Sequence, residues 1–268
     1  MFAYLRVFYR LILFSLLVLI GLLITLFLFP LVGWQSKRRI IKTWSHWLLR
    51  ALGVRLVVDR LPPAIHLQGL MVSNHSSWID IFATNAVQAV RFISKSEIRD
   101  WPVLGRLVTM AGTLYVERGN RSKINETNES IRNAVMAGDL VGFYPEGTTT
   151  DGTYLLPFKT NLFQPAIEHQ MTVYPVAVSY RQNGQKTRIA SYEGDTSFGE
   201  SFLSLTRATG LEVHVAFGDP IDSAMYSDRA ALSLAAQEAI GRLTGLNIQM
   251  PSDEQVELLQ SAKVRGAL

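Results

Sequence analysis

The sequence predicts an α/β domain, a mixed central sheet covered by helices, carried on an N-terminal apolar helical membrane anchor. Three observations predict it. Near the N-terminus, 26 consecutive residues, Leu11–Ser36, carry no charge. From Gly53 onward, short β-rich runs alternate with helical patterns. The 268 residues contain no internal repeat and no low-complexity linker, and 48% apolar against 18% charged residues is a globular composition.

The net charge of +4 is unevenly placed. Residues 1–50 hold seven basic residues and no acid, and Asp59 is the first carboxylate, so the rest of the chain is slightly acidic. A nucleic-acid-binding protein places its basic excess on the folded domain, which excludes that class of partner. The absence of cysteine excludes a disulfide framework, a Cys nucleophile and thiolate metal sites.

Within the first 52 residues, Leu11–Phe29 is almost purely Leu, Ile, Val and Phe. As a helix it reaches roughly 28 Å, close to the hydrocarbon thickness of a bilayer. It is too long for the apolar part of a signal peptide, and Phe29-Pro30-Leu31-Val32-Gly33-Trp34 offers no small-x-small cleavage site. Pro30 and Gly33 end this helix. A second one follows, with Ile40, Ile41, Trp44, Trp47, Leu48 and Ala51 set against Lys37, Arg38, Lys42 and Arg50. That amphipathic pattern, basic on its polar face, suits an anionic membrane surface. Either a single span or a helical hairpin in one leaflet satisfies it. The five basic residues after the apolar run place the following domain on the cytoplasmic side.

Residues 53–250 form the α/β domain. Strands are expected at Val54–Val58, Leu67–Ser73, Val90–Ile93, Thr113–Val116, Leu140–Tyr144, Thr172–Tyr180, Thr187–Tyr192 and Leu211–Phe217. Helices are expected at Ser77–Ala89, Ser122–Ala137, Asn161–His169, Phe198–Thr206 and Asp228–Thr244. In the second of these, Ile124, Ile131, Ala134 and Val135 share a face, and Gly138 follows as a cap. Residues 251–268 are a tail in which Asp253–Val264 forms a frayed helix.

Three polar clusters stand at or near strand ends, and a fourth motif lies within an apolar strand. In Ser73-Asn74-His75-Ser76-Ser77-Trp78-Ile79-Asp80, a histidine at a strand-to-helix turn is followed by an acid in the first helical turn. Asp80 is then able to accept from one imidazole nitrogen and fix the tautomer whose other nitrogen is a base, the His–Asp half of a serine-hydrolase arrangement. No Gly-x-Ser-x-Gly elbow supplies the nucleophile half, so the nucleophile belongs to the substrate. By itself the pair reads first as a structural histidine capped by Asp. Gly112–Arg121 ends a strand with Arg118 and Arg121 around a glycine, which suits a phosphate or carboxylate and equally suits a solvated loop. Phe143–Gly152 brings Glu146 and three threonines to a Pro/Gly turn. In Val173–Val178, Pro175 interrupts an apolar strand and marks an edge, a bulge or a place where backbone must be free.

The order His-x4-Asp, Gly-x-x-Tyr-Val-x-Arg, Pro-Glu-Gly-Thr, Tyr-Pro-Val-Ala resembles the glycerolipid acyltransferase family, in particular its bacterial 1-acylglycerol-3-phosphate O-acyltransferase type. The motifs cover roughly Leu67–Ala177, and the apolar segment matches the family's membrane anchor. The resemblance implies the glycerolipid acyltransferase fold. It also implies transfer of a fatty acyl group from an acyl carrier protein or coenzyme A thioester to a lysolipid hydroxyl, on the cytoplasmic side of the bacterial inner membrane. His75 would deprotonate that hydroxyl and Asp80 would orient it. Arg118, assisted by Arg121 and Lys95, would bind the acceptor phosphate, and Glu146, Gly147 and Thr148 would line the acceptor site. No cofactor or metal is implied, and His46, His66, His169 and His214 show no ligand spacing. The chain departs from the family's Phe-Pro-Glu-Gly-Thr-Arg-Ser at two positions: Tyr144 precedes Pro145, and Thr149 replaces the arginine. Relatives with Gly-Thr-Thr or Gly-Thr-Ser before Asp-Gly include lyso-ornithine-lipid acyltransferases, whose acceptor lacks a phosphate. An acyl-thioester hydrolase would use the same His–Asp pair.

Overall fold

A computed structural model describes residues 2–102, 104–116 and 121–250. Arg118 and the tail at 251–268 lie outside the described residues, as does the side chain of Arg121.

The chain opens with α1 (Phe2–Leu23), which tightens through a wide turn at Ile24–Leu28 and a 3-10 turn at Phe29–Leu31, and then α2 (Trp34–Leu52). The domain proper follows as β1 (Val54–Arg60), β2 (Gly69–Ser73), α3 (Asp80–Val87), β3 (Arg91–Lys95), α4 (Leu104–Met110), β4 (Leu114–Val116), α5 (Arg121–Met136), β5 (Leu140–Phe143), α6 (Gln164–His169), β6 (Thr172–Gln182), β7 (Gln185–Lys186), α7 (Phe198–Arg207), β8 (Leu211–Phe217), β9 (Ile221–Asp222) and α8 (Arg229–Thr244).

The sheet runs β1-β8-β6-β2-β5-β3-β4, with β7 and β9 as short additions to β6. β6, β2, β5, β3 and β4 are mutually parallel, β8 is antiparallel to β6, and β1 is parallel to β8. Every residue of β2 and β5 is buried, as expected of parallel strands covered on both faces. Along β2 the alternation divides the core. Met71 joins Leu48, Leu49, Leu52, Ala83, Val178 and Leu205 under α2, α3 and α7. Leu70 and Val72 face Ile131, Phe163, Leu232, Ala236 and Ile240 under α5, α6 and α8. The parallel strands point their carboxyl ends the same way, and the crevice outside such ends is where α/β sheets place ligand sites.

Pro175 sits inside a central strand rather than at an edge, opposite Val72 of β2. Its carbonyl accepts the Gly218 N–H at 2.7 Å, just past the end of β8 and before β9 begins. The N–H and C=O of one strand residue point to the same side. The missing donor therefore falls in the gap between β8 and β9, where the ladder asks for none.

Two expectations need correction, and one helix was not expected. Thr187–Tyr192 is not a strand. Asn183 and Gly184, at φ 52° and 85°, form the tight turn that closes the β6–β7 hairpin. Beyond Lys186 the chain leaves the sheet, and the Tyr192 N–H is spent on the Ser76 carbonyl at 2.8 Å. α3 starts at Asp80 rather than Ser77, because the Asp80 carboxylate caps the free N–H groups of Ser76 and Ser77 at 2.8 and 2.9 Å. α4 was not foreseen, since seven residues are too short to display a period.

α1 is the one segment among the described residues long and apolar enough to cross a bilayer, counted as Tyr4–Leu31. One stripe of it is nevertheless docked on the domain. Arg6 donates to the Arg207 carbonyl at 2.9 Å, and Arg10 to those of Thr206 and Ala208 at 2.9 and 2.7 Å, satisfying the C-terminal end of α7. Phe14 packs edge-on against Phe202 and Trp78, Trp44 donates to the Leu17 carbonyl at 2.8 Å, and Thr25 and Phe29 are buried. The docked stripe thus extends over roughly 30 Å. The outward side leaves Leu5, Phe8, Ile12, Leu16, Leu19, Leu23 and Phe27 exposed. At its foot the buried carboxylate of Asp139 accepts from Trp34, Arg38 and Arg91, fastening the helical hairpin to the sheet.

Candidate active site

His75 follows β2, and its position is fixed from both sides. The side chain of Asn74 copies a ladder rung, with Nδ2 donating to the Val178 carbonyl and Oδ1 accepting the Val178 N–H, both at 2.9 Å. That anchors the turn on β6. From the other side, Glu146 beyond β5 accepts the His75 N–H at 2.8 Å through Oε1 and the Leu156 N–H at 2.9 Å through Oε2. The His75 carbonyl accepts the Thr150 N–H at 2.9 Å. The turn is thereby held by two segments distant in sequence, the Glu146–Thr150 loop and β6.

The side chains meet as the motif suggested. His75 Nδ1 lies 2.8 Å from Asp80 Oδ2. The same oxygen accepts the Ser76 and Ser77 N–H groups, and Oδ1 accepts the hydroxyl of Tyr180 on β6. Asp80 is fully buried, and a buried carboxylate is tolerable only when its acceptor capacity is used in this way. With Nδ1 committed, Nε2 is the nitrogen left for proton transfer. The His75 side chain keeps 18% of its surface accessible, enough for a substrate atom to reach it. Tyr144 lies flat on the imidazole, ring centroids 3.9 Å apart and planes 11° from parallel.

Glu146 is 2% exposed. Burial pushes its carboxyl up to about 8, against the opposing pull of the Leu156 and His75 N–H groups. A carboxyl whose folded value exceeds its unfolded one contributes stability that is complete below pH 4.5 and fades as pH rises through 8. Both its oxygens are occupied by backbone, so the geometry makes it a strut of the His75 turn.

Gly147 closes the Tyr144–Gly147 turn, its N–H on the Tyr144 carbonyl at 3.1 Å. Its φ is +74°, and a Cβ there would sit 2.1 Å from the Lys159 ammonium. Thr148 is half-buried beside it. Lys95 ends β3 opposite Val116 of β4, which brings it to the sheet end from which the chain continues toward Arg118. Sequence reasoning missed Asn74, Tyr180 and Lys159. Asn74 stood beside the histidine, whereas Tyr180 and Lys159 carried no local signal. Thr149, in place of the family's arginine, turns its hydroxyl to the Tyr192 carbonyl.

The acyltransferase family model matches residues 59–179, which include every part of this turn described so far except Tyr180 and Tyr192. Lyso-ornithine lipid O-acyltransferase of Brucella abortus is 36% identical over 225 residues, covering 79% of this chain and 83% of that protein. The chain belongs to the acyltransferase family. The 1-acyl-sn-glycerol-3-phosphate acyltransferase of Neisseria meningitidis serogroup B is also 36% identical, over 208 residues, covering 77% of this chain and 81% of that one. The crystal structure of the 1-acyl-sn-glycerophosphate acyltransferase PlsC from Thermotoga maritima has the same fold, with a TM-score of 0.68 over 90% of this chain and 94% of that one at 20% identity. The chain is therefore an acyltransferase enzyme whose mixed central sheet and apolar N-terminal helix follow the fold that its motifs implied.

Proposed function

We propose that this acyltransferase moves a fatty acyl group from an acyl carrier protein or coenzyme A thioester to the free hydroxyl of 1-acylglycerol-3-phosphate, forming phosphatidic acid. The observation that carries the reading is the His75–Asp80 pair, braced on every side with Nε2 uncommitted. Nε2 takes the proton of the acceptor hydroxyl as its oxygen attacks the thioester carbonyl. Asp80, on Nδ1, holds the tautomer and stabilises the imidazolium. The tetrahedral intermediate then expels the thiolate, breaking the C–S bond, and the imidazolium proton leaves with the thiol. Lys95, Arg118 and Arg121 supply cations for the acceptor phosphate, and Gly147 and Thr148 line its site.

Residues 1–52 act as the anchor and 53–250 as the catalytic domain. α1 lies along one leaflet of the cytoplasmic face of the inner membrane. A helix with one stripe docked on its own domain over roughly 30 Å has only the opposite stripe to offer to lipid. The basic residues of α2 then sit at headgroup level.

A lyso-ornithine acceptor is the second reading, favoured by Thr149, whose hydroxyl is engaged with Tyr192, and by the name of the Brucella relative. Purified protein in neutral vesicles, given one acyl thioester and a panel of lysolipids, separates the two. With a phosphate acceptor, Arg118→Ala should cost roughly 2–4 kcal/mol in kcat/KM for lysophosphatidate, and Thr149→Arg should preserve or raise it. A wild-type preference for lyso-ornithine lipid that Arg118→Ala leaves unaltered would replace the preferred acceptor.

A further inference from the structure

The imidazole of His75 is contacted in two perpendicular directions. In its plane, Asp80 accepts from Nδ1. Above the plane lies Tyr144, the first residue after β5, at 3.9 Å between centroids and nearly parallel. Tyr144 is itself backed by Phe92 of β3, at 5.5 Å and 9°. Three rings, two from just past the ends of β2 and β5 and one within β3, thus form one stack with His75 at its end. Since Phe92 is 7% exposed and belongs to the core, the Tyr144 ring has firm support behind it. Proton transfer from the acceptor turns the imidazole into a cation, and an aromatic face attracts a cation through its quadrupole.

We infer that Tyr144 is a positioning residue that sets the basicity of His75, its π face stabilising the imidazolium that forms when the acceptor's O–H bond breaks and the Nε2–H bond forms. This rests on His75 being the general base. Among the described residues, Asp80 at the start of α3, Tyr180 of β6 behind it and Glu146 beneath the turn are the other titratable groups around the imidazole. Among the described residues, Lys95 of β3 and Lys159 over Gly147 are cations of the same sheet end. Asp80 and the ring meet the imidazole in different directions, so removing one leaves the other in place. The face that meets His75 belongs to the ring, and a phenylalanine would present the same face.

The test is the pH dependence of kcat/KM for the acceptor, measured on the full-length protein in vesicles. Tyr144→Phe keeps the ring and should keep the acidic limb where the wild type has it. Tyr144→Leu should move that limb to lower pH by about half a unit to one and a half units. It should also lower the plateau about threefold, because a weaker base transfers the proton less readily. Should the Leu variant fail to fold, pentafluorophenylalanine at position 144 retains the ring's shape while reversing its quadrupole, and it should move the limb the same way. A limb that stays fixed with pentafluorophenylalanine, whatever happens to the rate, overturns the inference. A wild-type profile with no acidic limb would instead overturn the general-base reading, and the inference with it.

Discussion

His75→Ala should lower acyl transfer by about 100- to 10,000-fold and leave the thermal unfolding transition where it was. The imidazole is partly exposed, and its removal takes one of four donors from a carboxylate whose two oxygens both keep a partner. The turn is fixed by backbone and by Asn74 and Glu146, not by the ring. Asp80→Ala should behave differently. It too abolishes transfer, but it leaves the Ser76 and Ser77 N–H groups and the Tyr180 hydroxyl without their acceptor inside the protein. Each such loss costs about 1–3 kcal/mol, so the melting temperature should fall with the activity. A folded His75→Ala protein with wild-type kcat/KM would remove the general base from the mechanism.

Ile12→Lys together with Leu19→Lys should release the protein from membranes. Both residues lie on the outward stripe of α1, 49% and 52% exposed, clear of the side that meets α7 and Trp44. At about 2 kcal/mol for each charge placed in the apolar layer, the pair should lower vesicle partitioning by roughly a thousandfold. The transition of the folded domain should be unchanged, and activity should survive on acceptor dispersed in detergent. The substitutions are a cleaner probe than truncation, because a cut at residue 52 removes Leu48, Leu49 and Leu52, which are 0–1% exposed in the core. Protein that still sediments with vesicles in high salt would show that α1 is not what holds it there.

Signals that repeat at short range were readable in the chain. A run made almost purely of Leu, Ile, Val and Phe gave the apolar N-terminal helix, period-two and unbroken apolar runs gave most strands, and the spacing of His75 and Asp80 placed both at one turn. What escaped depends on which strands become neighbours. Asn74 meets Val178 and Asp80 meets Tyr180 only because β6 lies beside β2, across a separation of 104 and 100 residues. Nothing local in either segment encodes that adjacency. Glu146 was legible as a member of a motif, but its partners were not, since a carboxylate for substrate and a carboxylate for backbone read alike. Thr187–Tyr192 read as a strand because β-branched and aromatic residues recur there. The left-handed Asn183-Gly184 turn and the demand of Ser76 for a donor took that segment out of the sheet.

The most direct test of acyl transfer without a protein nucleophile is a single experiment on the wild type in neutral vesicles. Acyl thioester labelled in the acyl chain is supplied first alone and then with lysophosphatidate, while free thiol and the intact protein mass are followed. If His75 activates the acceptor hydroxyl itself, the protein mass stays unmodified throughout. Thiol then appears only after lysophosphatidate is added, in step with diacylated product. Label carried on the protein before the acceptor arrives, or thiol released at a comparable rate in its absence, would contradict it.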